Sequence, residues 1–146
     1  MLFYSLKTMS LTKKKTIDWA ELELLSSGIL LLTYKREDDI TIEDVKLVEE
    51  AIIELTQGAM IYCLMDTSGR YLKFTQEAKN YLAKEAKIVQ QQKVKCTAVV
   101  IDNLPNRIMT NFFLKIFKPK YSLKVFSNSD LAMNWLETEL NKRQNK

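Results

Sequence analysis

The sequence predicts an α/β domain with a mixed, mostly parallel sheet and flanking helices, and three observations lead there. Two near-continuous apolar runs, AMIYCLMD (59–66) and KCTAVVID (95–102), have the length and character of strands covered on both faces. Each is followed by a segment with apolar residues at helical spacing, and strands that alternate with helices build parallel sheets through crossovers. Near the start of the chain, two β-prone stretches are separated by Ser26-Ser27-Gly28, which adds an antiparallel hairpin. With 146 residues, 47% of them apolar, the chain is long enough for one domain with a proper core.

The elements follow in order. Residues 17–25 and 29–34 form the hairpin. Thr41 reads as an N-cap with Asp44 at the third helical position, and Val45, Val48, Ile52 and Leu55 mark the inner face of a helix that stops at Gly58. The strand at 59–66 comes next, then a second helix capped by Thr75 that carries Ala78, Tyr81, Leu82, Ala86 and Val89 inward. After the strand at 95–102, a third helix spans residues 105–117. On its wheel Met109, Phe112, Phe113 and Ile116 share one face, which reads as core or else as a partner, lipid or anionic-surface site, while Arg107, Asn111, Leu114, Lys115 and Lys118 share the other. YSLKVFS supplies the last strand, and Ser127 with Asp130 is expected to cap a final helix that buries Leu131, Ala132, Trp135, Leu136 and Leu140. The predicted order is β-β-α-β-α-β-α-β-α.

The net charge of +4 suggests nucleic acid until the charges are located. All 18 acidic residues lie within residues 16–141, where only 15 basic ones occur, so the surplus sits at the two ends. We therefore expect a flexible basic extension over residues 1–15, one domain over 16–141, a short basic tail over 142–146, and no specific nucleic-acid partner. Met9 is an alternative start. The opening apolar run is too short for a signal peptide, and no window reaches the ~18 apolar residues of a membrane span, which predicts a cytoplasmic protein that is not integral to a membrane. Monomer and homodimer stay open.

Histidine is absent, which removes imidazole acid–base catalysis, Ser-His and Cys-His nucleophile systems and histidine-ligated zinc. Cys63 and Cys96 each sit in a buried-strand run and read as packed thiols, and Gly28, Gly58 and Gly69 are too isolated to build a phosphate-cradling loop. No metal or cofactor is expected. Asp66 and Asp102 both fall at strand ends, where open α/β sheets place ligands. They would suit Mg²⁺ for phosphoryl transfer with Arg70, Lys73 or Lys115 on a phosphate, or else accept from nearby turn amides, Asp102 from the NLP turn.

Asp66 at the end of its strand, the TNFFLKIFKPKYSLKVF segment and the Phe126-Ser127 … Ala132-x-x-Trp135-Leu136 ending resemble small single-domain proteins of the SpoIIAA-like, or STAS-like, superfamily, over roughly residues 17–137. The resemblance implies a non-enzymatic regulatory module acting through protein–protein interaction; some relatives bind lipids or nucleotides, which makes a carrier of a lipid or small anionic ligand the alternative. In the anti-sigma-factor antagonists of this superfamily, a regulatory serine opens the helix after the second loop. Here Thr75, Gln76 and Glu77 take those places, so the resemblance implies that the usual phospho-switch is lost, and Asp66-Thr67-Ser68-Gly69 reads as a turn. The expected partner rim is Asp66, Ser68, Arg70, Thr75, Arg107, Asn111 and Lys115.

Overall fold

The computed structural model describes residues 13–70 and 72–144. Strands β1 (Lys13–Ile17), β2 (Ala20–Leu24) and β3 (Ile29–Tyr34) form an antiparallel meander. Ser26-Ser27-Gly28 makes the predicted turn, with Gly28 at φ 98° and its N–H on the Leu25 carbonyl at 2.9 Å. Residues 1–12 of the expected extension lie outside the described residues, but Lys13, Lys14 and Lys15 do not belong to a flexible segment. They pair with Leu24, Glu23 and Leu22 as an edge strand. Lysine is a residue that edges tolerate, because its charge discourages pairing with another chain.

Three parallel strands complete the six-stranded sheet. With the short strand β4 (Asp39–Ile40) numbered in sequence, they are β5 (Ile61–Asp66), β7 (Val94–Val100) and β8 (Ser122–Phe126), and the strand order is β1-β2-β3-β5-β7-β8. This is the mixed, mostly parallel sheet the apolar runs predicted. β4 pairs in parallel with β6 (Lys73–Phe74) as a separate two-stranded clasp that brings Phe74 edge-on to Tyr34 at 5.7 Å.

Helix α1 (Ile42–Thr56) begins with the predicted capping box: Thr41 Oγ1 accepts from the Asp44 N–H at 3.3 Å, and Asp44 Oδ2 accepts from the Thr41 N–H at 2.9 Å. It ends one residue before Gly58, at left-handed Gln57. The second helix is less regular than its periodicity suggests. α2 (Gln76–Asn80) starts under the Thr75 cap, passes into a π-helical turn (Tyr81–Glu85), breaks at Ala86 and resumes as α3 (Lys87–Gln90). Helix α4 (Leu104–Phe117) is capped by Asn103, whose Oδ1 accepts from the Asn106 N–H at 3.0 Å. Helix α5 (Ser129–Gln144) is capped by Asn128, which accepts from the Leu131 N–H at 3.0 Å. The Ser127–Asp130 pair is thus not the cap; the amide of Asn128 sits one residue closer to the free N–H groups and takes them. Lys142 and Arg143 belong to the last turn of α5 rather than to a tail.

Two cores lie on the two faces of the sheet. One gathers Leu22, Leu32, Tyr34, Cys63 and Tyr81 beneath α1 and α2, the other Ile29, Leu64, Val100, Ala132 and Leu136 beneath α5. The predicted core face of α4 is not core. Met109 is 69% exposed, Phe112 66% and Ile116 58%. Phe112 and Ile116 point away from the sheet into solvent, while on the side of Phe113 and Leu114 a space separates the helix from the sheet.

Candidate functional site

Strands β5 and β7 end side by side, and the chain after β5 is tied across to β7. Thr67 donates twice to the Val100 carbonyl, from its N–H at 3.0 Å and from Oγ1 at 2.6 Å. Asp66 Oδ1 accepts from the Ser68 N–H at 2.9 Å and hydroxyl at 2.6 Å, and Asp102 Oδ2 accepts from the Gly69 N–H at 3.0 Å. The Arg70 N–H returns to the Thr67 carbonyl at 3.2 Å with Gly69 at φ 74° in the third position, the place where a β-turn favours glycine. The DTSG run is therefore a turn, as predicted, with both strand-end aspartates holding its amides. The NLP turn expected to engage Asp102 is satisfied by Asn103 instead. Among the described residues, no three His, Cys, Asp or Glu side chains gather in a way that would hold a metal ion.

Beyond this turn lies a cleft of about 560 Å³ between α4 and the sheet. Met65 and Leu72 contribute from the β5 side, Phe74 from β6 and Leu82 from the π turn, while Met109 and Phe113 close it from α4. Thr97 and Thr110 add hydroxyls. Every charged residue in the lining is a cation: Arg70, Lys73 and Lys79. Lys79 Nζ lies 5.1 Å from the Phe113 ring centroid, so the ammonium spans the gap between α2 and α4. Tyr121, at the far wall, donates to the Leu82 carbonyl at 3.0 Å, and burial pushes its hydroxyl pKa well above the ordinary value, keeping it a neutral donor.

The expected rim is only partly assembled. Arg70 enters the cleft. Ser68 is exposed and bonded to Asp66, Thr75 is spent as the α2 cap, and Arg107 donates to the Ile101 carbonyl at 2.8 Å. Asn111 and Lys115 are exposed on α4 and absent from the cleft lining. Asp66 lies instead in a second cleft of about 550 Å³ on the opposite face, between β3, β5 and α5. Its charged lining is wholly acidic: Asp66, Asp130 and Glu137.

Sequence reasoning named Arg70 and Lys73 for an anion but missed Met65, Lys79, Leu82, Met109 and Phe113 as site residues. One signal was present. The apolar residues of α4 cover well over half of its circumference, from Leu104 round to Leu114, more than one packed face requires.

A family model described as a domain of unknown function, DUF7793, matches residues 23–140. No curated protein matches the chain. Among solved structures, an uncharacterised DUF3478-family protein with a SpoIIAA-like fold from Shewanella loihica PV-4 is similar over 86% of this chain and 92% of its own, with a TM-score of 0.54 at 14% identity. A protein of unknown function from Arthrobacter sp. FB24 covers 80% of this chain and 92% of its own at 24% identity, with a TM-score of 0.30. The first of these bears out the SpoIIAA-like architecture.

Proposed function

The chain belongs to the DUF7793 family, a family of unknown function, and from there we propose that it is a non-enzymatic binding module whose α4 cleft takes an amphiphile with an apolar chain and an anionic end. The observation that carries this reading is the cleft itself, largely apolar and with charged groups of one sign only. An apolar chain laid against Met65, Leu82 and Phe113 gains from leaving water, at about 0.8 kcal/mol per buried CH₂. A carboxylate or phosphate end would find Arg70, Lys73 and Lys79, and no acid of the lining opposes it. This reading ranks above recognition of a protein through the predicted rim, because the rim residues other than Arg70 face elsewhere or are committed to local bonds. A catalytic role for Asp66 and Asp102 has less support, since both carboxylates hold turn amides and neither lines this cleft.

The test is displacement. An anionic apolar fluorophore such as anilinonaphthalene sulfonate is expected to bind wild-type protein and to be displaced by a single-chain fatty acid. Thr110→Trp, which fills the cleft from α4, is expected to abolish that signal while the fold persists by circular dichroism. Wild-type protein that binds neither fluorophore nor fatty acid, or a folded Thr110→Trp variant that binds as wild type does, would overturn the proposal.

A further inference from the structure

Of the eight large apolar residues exposed among the described residues, five lie on α4: Leu104, Ile108, Met109, Phe112 and Ile116. The others, Leu47, Ile53 and Leu131, are on other helices and less than 51% exposed, which is ordinary for single surface residues. The five on α4 recur at helical spacing, so they form one ridge along the outside of the helix. Met109 belongs both to the ridge and to the lining of the cleft, so the ridge and the mouth of the cleft are continuous.

The charge around the ridge narrows what covers it. Lys115 and Lys118 are exposed on the same helix end, Lys120 follows, and there is no acidic residue from Asn103 to Ser129. An apolar stripe on a helix flanked by lysines, whose long stems reach past buried surface while their ammonium groups stay in water, matches the interface between headgroups and acyl chains. A second copy fits less well. In either orientation of two paired α4 helices, Lys115 and Lys118 would meet only neutral or basic residues, because α4 carries no carboxylate to receive them.

We propose that α4 is a docking surface for an anionic lipid bilayer, with Leu104, Ile108, Phe112 and Ile116 set among the lipids and Lys115 and Lys118 at the headgroups. The surface stands on exposure and charge alone. One corollary rests on the proposed function: with Met109 at the shared edge, an amphiphile passes between bilayer and cleft without crossing water.

Flotation with vesicles tests the proposal. Full-length protein is expected to float with phosphatidylcholine vesicles that contain phosphatidylglycerol, less with phosphatidylcholine alone, and less again as salt is raised. Ile108→Asp and Phe112→Asp, at exposed positions, are each expected to weaken this binding by at least about tenfold. Lys115→Gln and Lys118→Gln should each cost about fivefold on the anionic vesicles only. Neither Ile108 nor Phe112 lines the cleft, so both Asp variants should retain the fluorophore signal, which separates failure of the docking surface from failure of the cleft. Wild-type protein that fails to float with anionic vesicles, or folded Phe112→Asp that floats as wild type does, overturns the proposal. So does a dimer by light scattering that Phe112→Asp dissociates in the absence of vesicle binding; the ridge would then belong to a second copy.

Discussion

Asp44 shows how one side chain can carry several duties and how pH exposes them. Burial raises the pKa of its carboxyl, but the Thr41 N–H, the Arg36 guanidinium and the Thr41 hydroxyl together outweigh burial and hold it below its ordinary value of 3.8. The unfolded chain thus takes up a proton at higher pH than the folded one. The stabilisation is fully present above 3.8 and disappears as pH falls through the lower folded-state value. Asp44→Ala should cost about 1–2 kcal/mol at neutral pH, and urea titrations of variant and wild type should converge in acid. A cost independent of pH would mean that packing rather than charge explains it. The two thiols make the opposite case, chemistry suppressed by place. Burial pushes Cys63 and Cys96 each up to about 12, so native protein at neutral pH should react with a thiol reagent only as fast as it unfolds, and both should label in denaturant. Both residue-level roles were legible from sequence, because a capping box is written within four residues and a cysteine in an apolar run has few other fates.

The elements show where local patterns stop being enough. From Thr75 onward the apolar spacing predicts one regular helix, and nothing in Tyr81-Leu82-Ala83-Lys84-Glu85 breaks it locally. What interrupts it comes from far along the chain: Glu49, buried on α1, accepts from the Tyr81 hydroxyl and, at 3.0 Å, from the Ile88 N–H. That carboxylate gives the Ile88 amide a partner outside the helix, and the π turn and the break at Ala86 accommodate it. Glu49→Ala leaves two donors without their acceptor and is expected to cost about 2–3 kcal/mol; Tyr81→Phe, which keeps the Ile88 bond, about 1 kcal/mol. Hydrogen exchange at the Ile88 amide should quicken in the first variant and not in the second. Equal exchange in both would show that the staple does not hold α3. Helix α4 was misread for a related reason. A wheel reports which residues share a face, but whether that face meets a sheet, a ligand space or solvent is a tertiary fact.

At the scale of the whole molecule the two faces of the sheet are filled differently. α5 closes one with Leu136 and Ala132 fully buried, whereas on the other side α4 bridges an open cleft. The parallel character of the sheet was legible, because β5 and β7 are apolar on both faces; β1 was not, since an edge strand reading Lys-Lys-Lys-Thr carries no burial signal. The cleft was illegible because its lining comes from five separate stretches of chain that only the fold brings together. This asymmetry predicts unequal sensitivity. Leu136→Ala should cost about 2–5 kcal/mol by leaving a cavity, while Thr110→Trp adds bulk toward space that is already open and should leave thermal stability nearly unchanged. The same cleft makes folding responsive to its ligand, because a molecule bound by the folded chain alone shifts the equilibrium toward it. At a hundred times its dissociation constant, a fatty acid would add about 2.7 kcal/mol, and for a domain of this size each kcal/mol raises the melting temperature by roughly 2–4 °C. Wild-type protein should therefore melt roughly 5–10 °C higher with saturating fatty acid, and Thr110→Trp should show no rise. A rise of equal size in both proteins would place the fatty acid elsewhere, and the acid-lined cleft beneath α5 could then be tested by repeating the melt with a cationic amphiphile.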